Sequence, residues 1–259
     1  MKTENIEKIY GPLSKTLREG ISTDIVILGY HDKCLKILLQ RPRGLHKWAL
    51  AGGYIEKGLS AESAAQMIVQ RRTGLKNLSL FQFGVYSEPG RLEKDKPEIL
   101  RYADNISRQA DGDLWLFNDV VSIAFCALID FEKAEIVSDQ DVEECRWWDI
   151  NDLPELLYDH NQMVSGALEY LRVRCYLKPI GKGLLPEKFT LPDLKSVYET
   201  LLRKKLDDRN FSKKMLHIGL IEKLTERKSI GPHRSPFMYR FNEETYERLT
   251  KDGSIMIIS

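Results

Sequence analysis

The sequence predicts an α/β (α+β) chain in two parts: a mixed sheet between helices over residues 1–177, then a small domain of two helices and a hairpin over 178–259. Three observations predict it. Strand-like runs alternate with helical periodicity at 60–73 and 153–176, a pattern that buries a sheet between helices. The Gly/Pro segment Leu177-Lys178-Pro179-Ile180-Gly181-Lys182-Gly183 interrupts any helix and marks the boundary. The charge then changes sign. Residues 1–177 hold 22 Lys and Arg against 27 Asp and Glu, a net of −5, whereas 178–259 hold 17 against 11, a net of +6. A mildly acidic body carrying a basic tail domain fits a polyanion-binding module.

In order, Asp24-Ile25-Val26-Ile27-Leu28-Gly29-Tyr30 reads as a buried strand, and Leu35 to Arg41 as its hairpin partner across His31-Asp32-Lys33. The loop Pro42 to Lys47 leads to Trp48-Ala49-Leu50-Ala51 and a Gly pair, Gly52-Gly53, read as a loop. A helix follows, with Ser60 as N-cap, Glu62 in the first turn and Gly74 as the left-handed residue after the last turn. Ala61, Ala64, Ala65 and Ile68 supply its buried face. Leu78 to Val85 reads as a strand, and Tyr86-Ser87-Glu88-Pro89-Gly90 as a turn. Residues 91–118 are a charged excursion with a short helix expected over 97–110 and a turn at Asp111-Gly112-Asp113. Val121 to Ile129 fits a central strand covered on both faces, and Glu143 to Trp148 another strand. A helix is expected to start at Asp152 to Leu157, and a longer one at Asp159-His160, where His160 reads as a cap-region residue.

Beyond the boundary, Thr190-Leu191-Pro192-Asp193 is a helix start with a capping Thr and Pro in the first turn. Asp207-Asp208 caps a second helix, whose inner face is expected to be Phe211, Met215 and Leu216. Its outer face is expected to present Arg209, Asn210, Ser212, Lys213 and Lys214. Two strands, Leu220 to Thr225 and Phe237 to Asn242, flank a basic tip containing Arg227, Lys228, His233 and Arg234. Helix, helix and basic hairpin is the order of a winged helix-turn-helix, in which the second helix enters a major groove and the wing touches phosphate.

The frame from Gly53 to Gly74-Leu75 resembles the Nudix box, whose family pattern is G-x5-E-x7-R-E-U-x-E-E-x-G-U with U a large aliphatic residue. Both glycines, Val69 and Leu75 match, but Leu59, Met67, Ile68, Arg71 and Arg72 occupy the charged positions. In active Nudix hydrolases those glutamates hold a divalent cation against a nucleoside diphosphate, and hard cations need oxygen ligands. Two arginines repel such a cation, so ordinary Nudix hydrolysis is expected to be lost, with no catalytic residue, no metal site and no cofactor. Glu56, Glu62 and Glu88 are the non-standard ligands that a hydrolase reading would require.

The whole chain resembles the Nudix-related transcriptional regulators, a Nudix-like sensor followed by a winged helix. The C-terminal residues carry most of it: Asp159-His160, Met163-Val164, Pro179-Ile180-Gly181, Leu184-Leu185-Pro186, Phe189-Thr190-Leu191, Leu194, Tyr198-Glu199 and Arg209-Asn210-Phe211. The resemblance implies a homodimer on double-stranded operator DNA, with an effector in the Nudix cleft biasing two arrangements of the recognition helices. The implied effector is a sugar such as arabinose, tied to carbohydrate metabolism, or an ADP-ribose-like molecule, with the lost metal ligands leaning slightly to a sugar. Candidate effector contacts are Arg41, Arg43, Trp48, Arg71, Arg72 and Glu88. An RNA-binding or scaffold role is the third reading.

Cys34, Cys126, Cys145 and Cys175 form no C-x-x-C pair, which argues against a zinc site or disulfide framework. With no apolar leader and no spanning apolar run, a reduced cytoplasmic protein without membrane contact is expected.

Overall fold

A computed structural model describes residues 17–76, 78–98, 120–138, 142–228 and 235–251. By contact the chain sorts into two units, which is not a single cut in the sequence. The first gathers Met1–Leu28, Lys36–Ala127 and Lys133–Ala167; the second gathers Gly29–Leu35, Leu128–Glu132 and Leu168–Ser259. Most of the helix expected over 97–110, and the turn at 111–113, lie outside the described residues.

The first unit is built on a six-stranded sheet. Strands β1 (Leu17–His31) and β2 (Cys34–Pro42) are joined by Asp32-Lys33, both at positive φ, the mirror-image turn whose twist matches a two-residue hairpin. His31 therefore stays in the strand rather than the turn. Strand β3 (Ala51–Glu56) runs antiparallel to β1 with Gly52 opposite Asp24. The Gly pair is thus strand, not the expected loop. A Cβ on Gly52 would collide with the Asp24 carboxylate and the Thr23 carbonyl, so glycine here allows close approach rather than a turn. Helix α1 (Ala61–Thr73) has the predicted ends: Ser60 Oγ accepts from the Ser63 N–H at 3.0 Å, and Gly74, at φ 71°, donates to the Gln70 carbonyl at 2.8 Å. Its buried stripe is Ala64, Ala65, Val69, Arg72 and Thr73, with Ala61 and Ile68 half-buried at the margin.

Strands β4 (Leu80–Tyr86), β5 (Val121–Leu128) and β6 (Val142–Asp149) complete the order β4-β5-β1-β2-β6, with β3 also on β1. The β1/β3, β2/β6 and β4/β5 ladders are antiparallel. Strand β5 is central and mostly buried, as its unbroken apolar run implies.

The helix expected over 152–157 does not form. Pro154 lacks an N–H and disfavours helical backbone at Leu153, and the chain finds its partners elsewhere. The Trp48 N–H donates to the Glu155 carbonyl at 3.1 Å, and the Leu157 N–H donates to the Trp48 carbonyl at 2.8 Å. Helix α2 (His160–Leu177) begins where expected.

In the second unit, β7 (Gly181–Leu185), β8 (Phe189–Thr190), α3 (Leu191–Leu202), α4 (Asp208–His217), β9 (Ile221–Arg227), β10 (Phe237–Phe241) and α5 (Glu243–Lys251) follow in order. Strands β8, β10 and β9 form an antiparallel three-stranded sheet, so the expected hairpin gains a third strand. Thr190 and Asp193 close a reciprocal capping box on α3, and Asp207 caps α4 by accepting from the Asn210 N–H at 2.8 Å. Leu194, Tyr198, Phe211, Met215, Tyr239 and Phe241 are buried between helices and sheet. Helix α5 was not expected; its start is signalled by Asn242, whose Oδ1 accepts from the Thr245 N–H at 2.8 Å. Leu216, expected inside, is 44% exposed. The α4 core stripe is filled by Phe211 and Met215 four residues apart, and Leu216, one residue on, is turned about 100° away from it.

Candidate functional site

Helix α4 shows how phase selects what a helix presents. With Phe211 and Met215 inward, the opposite face carries Arg209, Asn210, Lys213, Leu216 and His217, all exposed, while Ser212 and Lys214 are half-buried on the flanks. His217 was not among the sequence candidates, although its place four residues after Lys213 puts it on the same face.

Several cations elsewhere in this unit are matched to carboxylates: Lys188 to Glu226, Lys195 to Asp208, Lys205 to Glu199, and Arg240 to Glu222. Among the described residues, Arg209, Lys213 and Lys214 make no ion pair. Their charge is left to the solvent side of the helix, which suits recognition of a polyanion.

The wing candidates differ from this. Arg227 donates to the Ser235 carbonyl at 2.9 Å and lies 3.7 Å over the Phe237 ring, and Lys228 reaches Asp193 at 3.7 Å. Both are engaged at the wing's base. His233 and Arg234 lie outside the described residues.

In the first unit the effector candidates fall into separate groups. Arg41 and Trp48 come together, with the Arg41 guanidinium 5.9 Å from the Trp48 ring and bonded to Glu143 and Glu144 at 3.0 and 3.2 Å. Two residues from the β6 register join them: Arg146 stacks over Trp48 and Trp148 at 4.8 and 4.1 Å. No local signal in the sequence marks these two, since only pairing of β2 with β6 sets Trp148 opposite Ile37 and Arg146 opposite Leu39.

Arg72 is not with that group. It is 6% exposed and its Nε donates to the Gln40 Oε1 at 2.7 Å. Gln40 and Arg41 are neighbours on β2 and point to opposite faces of the sheet, which separates Arg72 from Arg41. Arg71, Arg43 and Glu88 are exposed. Glu56 ends β3 and Glu62 lies in the first turn of α1, both exposed. Among the described residues, no group of three or more His, Cys, Asp or Glu is placed to hold a metal ion.

A buried polar set that the sequence reading missed lies beside the box strand. Asp24 on β1 accepts from Ser122 Oγ at 2.5 Å, and its other oxygen is 3.6 Å from His160 Nε2. His160 Nδ1 accepts the Leu50 N–H at 3.1 Å. Burial holds the imidazole below its ordinary range, with nearby carboxylates opposing, so the ring is neutral and pins the chain just before β3.

Arg91 forks onto Asp159 at 2.9 and 2.6 Å and reaches the Val120 carbonyl at 3.3 Å. Lys47 bonds Asp95 at 2.6 Å and Glu155 at 2.8 Å, which raises its pKa, the Asp95 bond contributing most. The start of the charged excursion, 91–98, is therefore tied into the first unit. Asp95 also accepts the N–H of Tyr158, a residue at φ 55°. No helix among the described residues is long and apolar enough to cross a membrane.

Residues 181–241 match the family model described as the NrtR DNA-binding winged helix domain. Over 234 residues the chain is 25% identical to the ADPR responsive transcriptional repressor NtrR of Acinetobacter baylyi, covering 88% of this chain and 84% of the relative. Over 161 residues it is 28% identical to an ADP-ribose pyrophosphatase of Methanocaldococcus jannaschii, covering 61% and 79% respectively. Among solved structures, Shewanella oneidensis NrtR complexed with a 27mer DNA matches with a TM-score of 0.70 at 22% identity, covering 88% of this chain and 95% of that one. A MutT/nudix family protein from Enterococcus faecalis matches at 0.65 and 18% identity, covering 93% and 98%. These two are likenesses of fold. A Nudix-like unit followed by a winged helix of this family is the make-up of the Nudix-related transcriptional regulators. The winged helix thus matches the NrtR family model, and over most of its length the chain is similar to a regulator of that kind.

Proposed function

We propose that the chain is a DNA-binding transcriptional regulator, in which residues 178–259 read a double-stranded operator and residues 1–177 sense a small-molecule effector. The observation that carries this reading is the outward face of α4, the second helix of a winged helix, where Arg209 and Lys213 have no acidic partner among the described residues. Uncompensated cations on that face meet phosphates, and Asn210 beside them is suited to a base edge. A cytoplasmic homodimer on a roughly palindromic operator follows from the same reading, because two such helices read two half-sites.

The name of the Acinetobacter relative favours an ADP-ribose-like effector over a sugar such as arabinose. Arg71 and Arg43, both exposed, are the cations offered to a diphosphate, while Arg41 and Trp48 would act through the Arg146–Trp148 stack. Buried Arg72 would hold Gln40 rather than the ligand. Arginines at the box positions support binding without metal-assisted hydrolysis.

The test is binding of the purified protein to DNA upstream of its own and neighbouring genes, against excess unrelated duplex at near-physiological salt. Selective binding that ADP-ribose weakens, with arabinose inert, is the expected result. Equal binding to unrelated DNA would overturn the regulator reading. ADP-ribose incubated with magnesium and the protein is expected to stay intact; release of AMP and ribose 5-phosphate would instead support the hydrolase reading that the Methanocaldococcus relative keeps open.

A further inference from the structure

We propose that Leu216 is a base-reading residue that contacts the 5-methyl group of a thymine in the major groove; this rests on the DNA-binding reading above. Of the large apolar side chains in the winged helix, Leu216 is the exposed one among the described residues, at 44%. It sits on α4 three residues after Lys213 and seven after Arg209, so it shares their face rather than that of Phe211 and Met215. Among the described residues the two cations beside it lack acidic partners, and that charge is complementary to the phosphates bordering a groove, not to an apolar protein surface. A leucine held amid such cations can offer a groove only apolar contact. The apolar group that base pairs display there is the thymine methyl, whereas guanine, cytosine and adenine edges display donors and acceptors. The position is held firmly: the Gly219 N–H donates to the Leu216 carbonyl at 3.0 Å, and the adjoining Met215 is fully buried.

The experiment begins with duplexes selected by the full-length protein from a random pool. In the preferred duplex each thymine is replaced in turn by uracil, which keeps the pairing and removes only the methyl. At one thymine in each half-site the wild-type protein is expected to bind about fourfold more weakly after replacement, the value of burying one methyl-sized group. Leu216→Ala is expected to bind thymine and uracil duplexes equally, and Leu216→Met to restore the preference, since Met conserves volume and apolar character. Leu216 is exposed, so neither change disturbs the core. Should wild type ignore every thymine methyl, or Leu216→Ala keep the preference, the assignment of Leu216 is overturned while selective DNA binding stands. Should the pool yield no preferred duplex, the DNA-binding reading falls with it.

Discussion

Helices α1 and α4 each carry an adjacent pair of cations, Arg71-Arg72 on one and Lys213-Lys214 on the other, and Arg72 and Lys213 are used in opposite ways. Arg72 lies three residues after Val69 and seven after Ala65, so it joins their buried stripe and bonds Gln40. Lys213 lies four residues after Arg209 and away from Phe211 and Met215, so it joins the solvent face. A cation's task is thus set by helical phase: Arg72 braces a core, and Lys213 is presented outward. Charges of the first unit should accordingly register in unfolding experiments, and those of α4 in DNA titrations.

The largest effect is expected at Arg91. Its fork onto Asp159 is almost fully buried, and Arg91→Ala strands that carboxylate, at a cost of about 3–5 kcal/mol in urea unfolding. A loss no larger than that of an exposed salt bridge would show that the pair is solvated and that the first unit's charges do not brace it. Next comes Arg72→Ala, which leaves buried Gln40 without its partner and should cost about 1–3 kcal/mol with DNA affinity unchanged. If DNA affinity fell instead, the contrast between the two helices would break.

His160 sharpens the comparison through pH. Burial keeps its folded-state pKa below the ordinary 6.5, so as pH falls the unfolded chain takes up the proton first. The stability contributed by the neutral ring is complete above about 6.5 and is lost as pH falls toward the folded-state value. His160→Phe should cost about 1–3 kcal/mol at neutral pH, by leaving the Leu50 N–H without an acceptor, and should flatten stability against pH in that window. An unchanged pH profile would show that the ring titrates alike in both states. The smallest stability effect is expected at Lys213: Lys213→Ala should shift unfolding by less than about 0.5 kcal/mol. It should also lower the slope of log affinity against log salt by about 0.9. An unaltered slope would remove Lys213 from the phosphate contacts.

Local signals were legible in the sequence because they act within a few residues. The Ser60 and Thr190 caps, left-handed Gly74 and the Asp207 start all stand where the residue types put them. What failed depended on partners far along the chain. Gly52-Gly53 looks like a loop until Asp24 is brought against it. Asp152 to Leu157 has a helix-starting composition, yet Trp48 captures its backbone groups. Leu216 has the hydrophobicity of a core residue, but two buried neighbours in phase with one another, Phe211 and Met215, already fill the space. Arg146 and Trp148 meet Trp48 only through the pairing of β2 with β6.

The tip of the first hairpin matters for anyone cutting this chain. Residues 29–35 and 128–132 cluster with the second unit; there Tyr30 donates its hydroxyl to Ser196 on α3 at 2.6 Å, and the Leu128 carbonyl occupies the place a Cβ on Gly183 would take. A fragment begun at residue 178 would hold every helix and strand of the winged helix and still be missing part of its packing. Ser196 would lose its partner and β7 would lose a neighbour. The second unit is a neighbourhood contributed by three stretches of the polypeptide, so excising it by a single cleavage would yield a less stable piece than its contiguous secondary structure suggests.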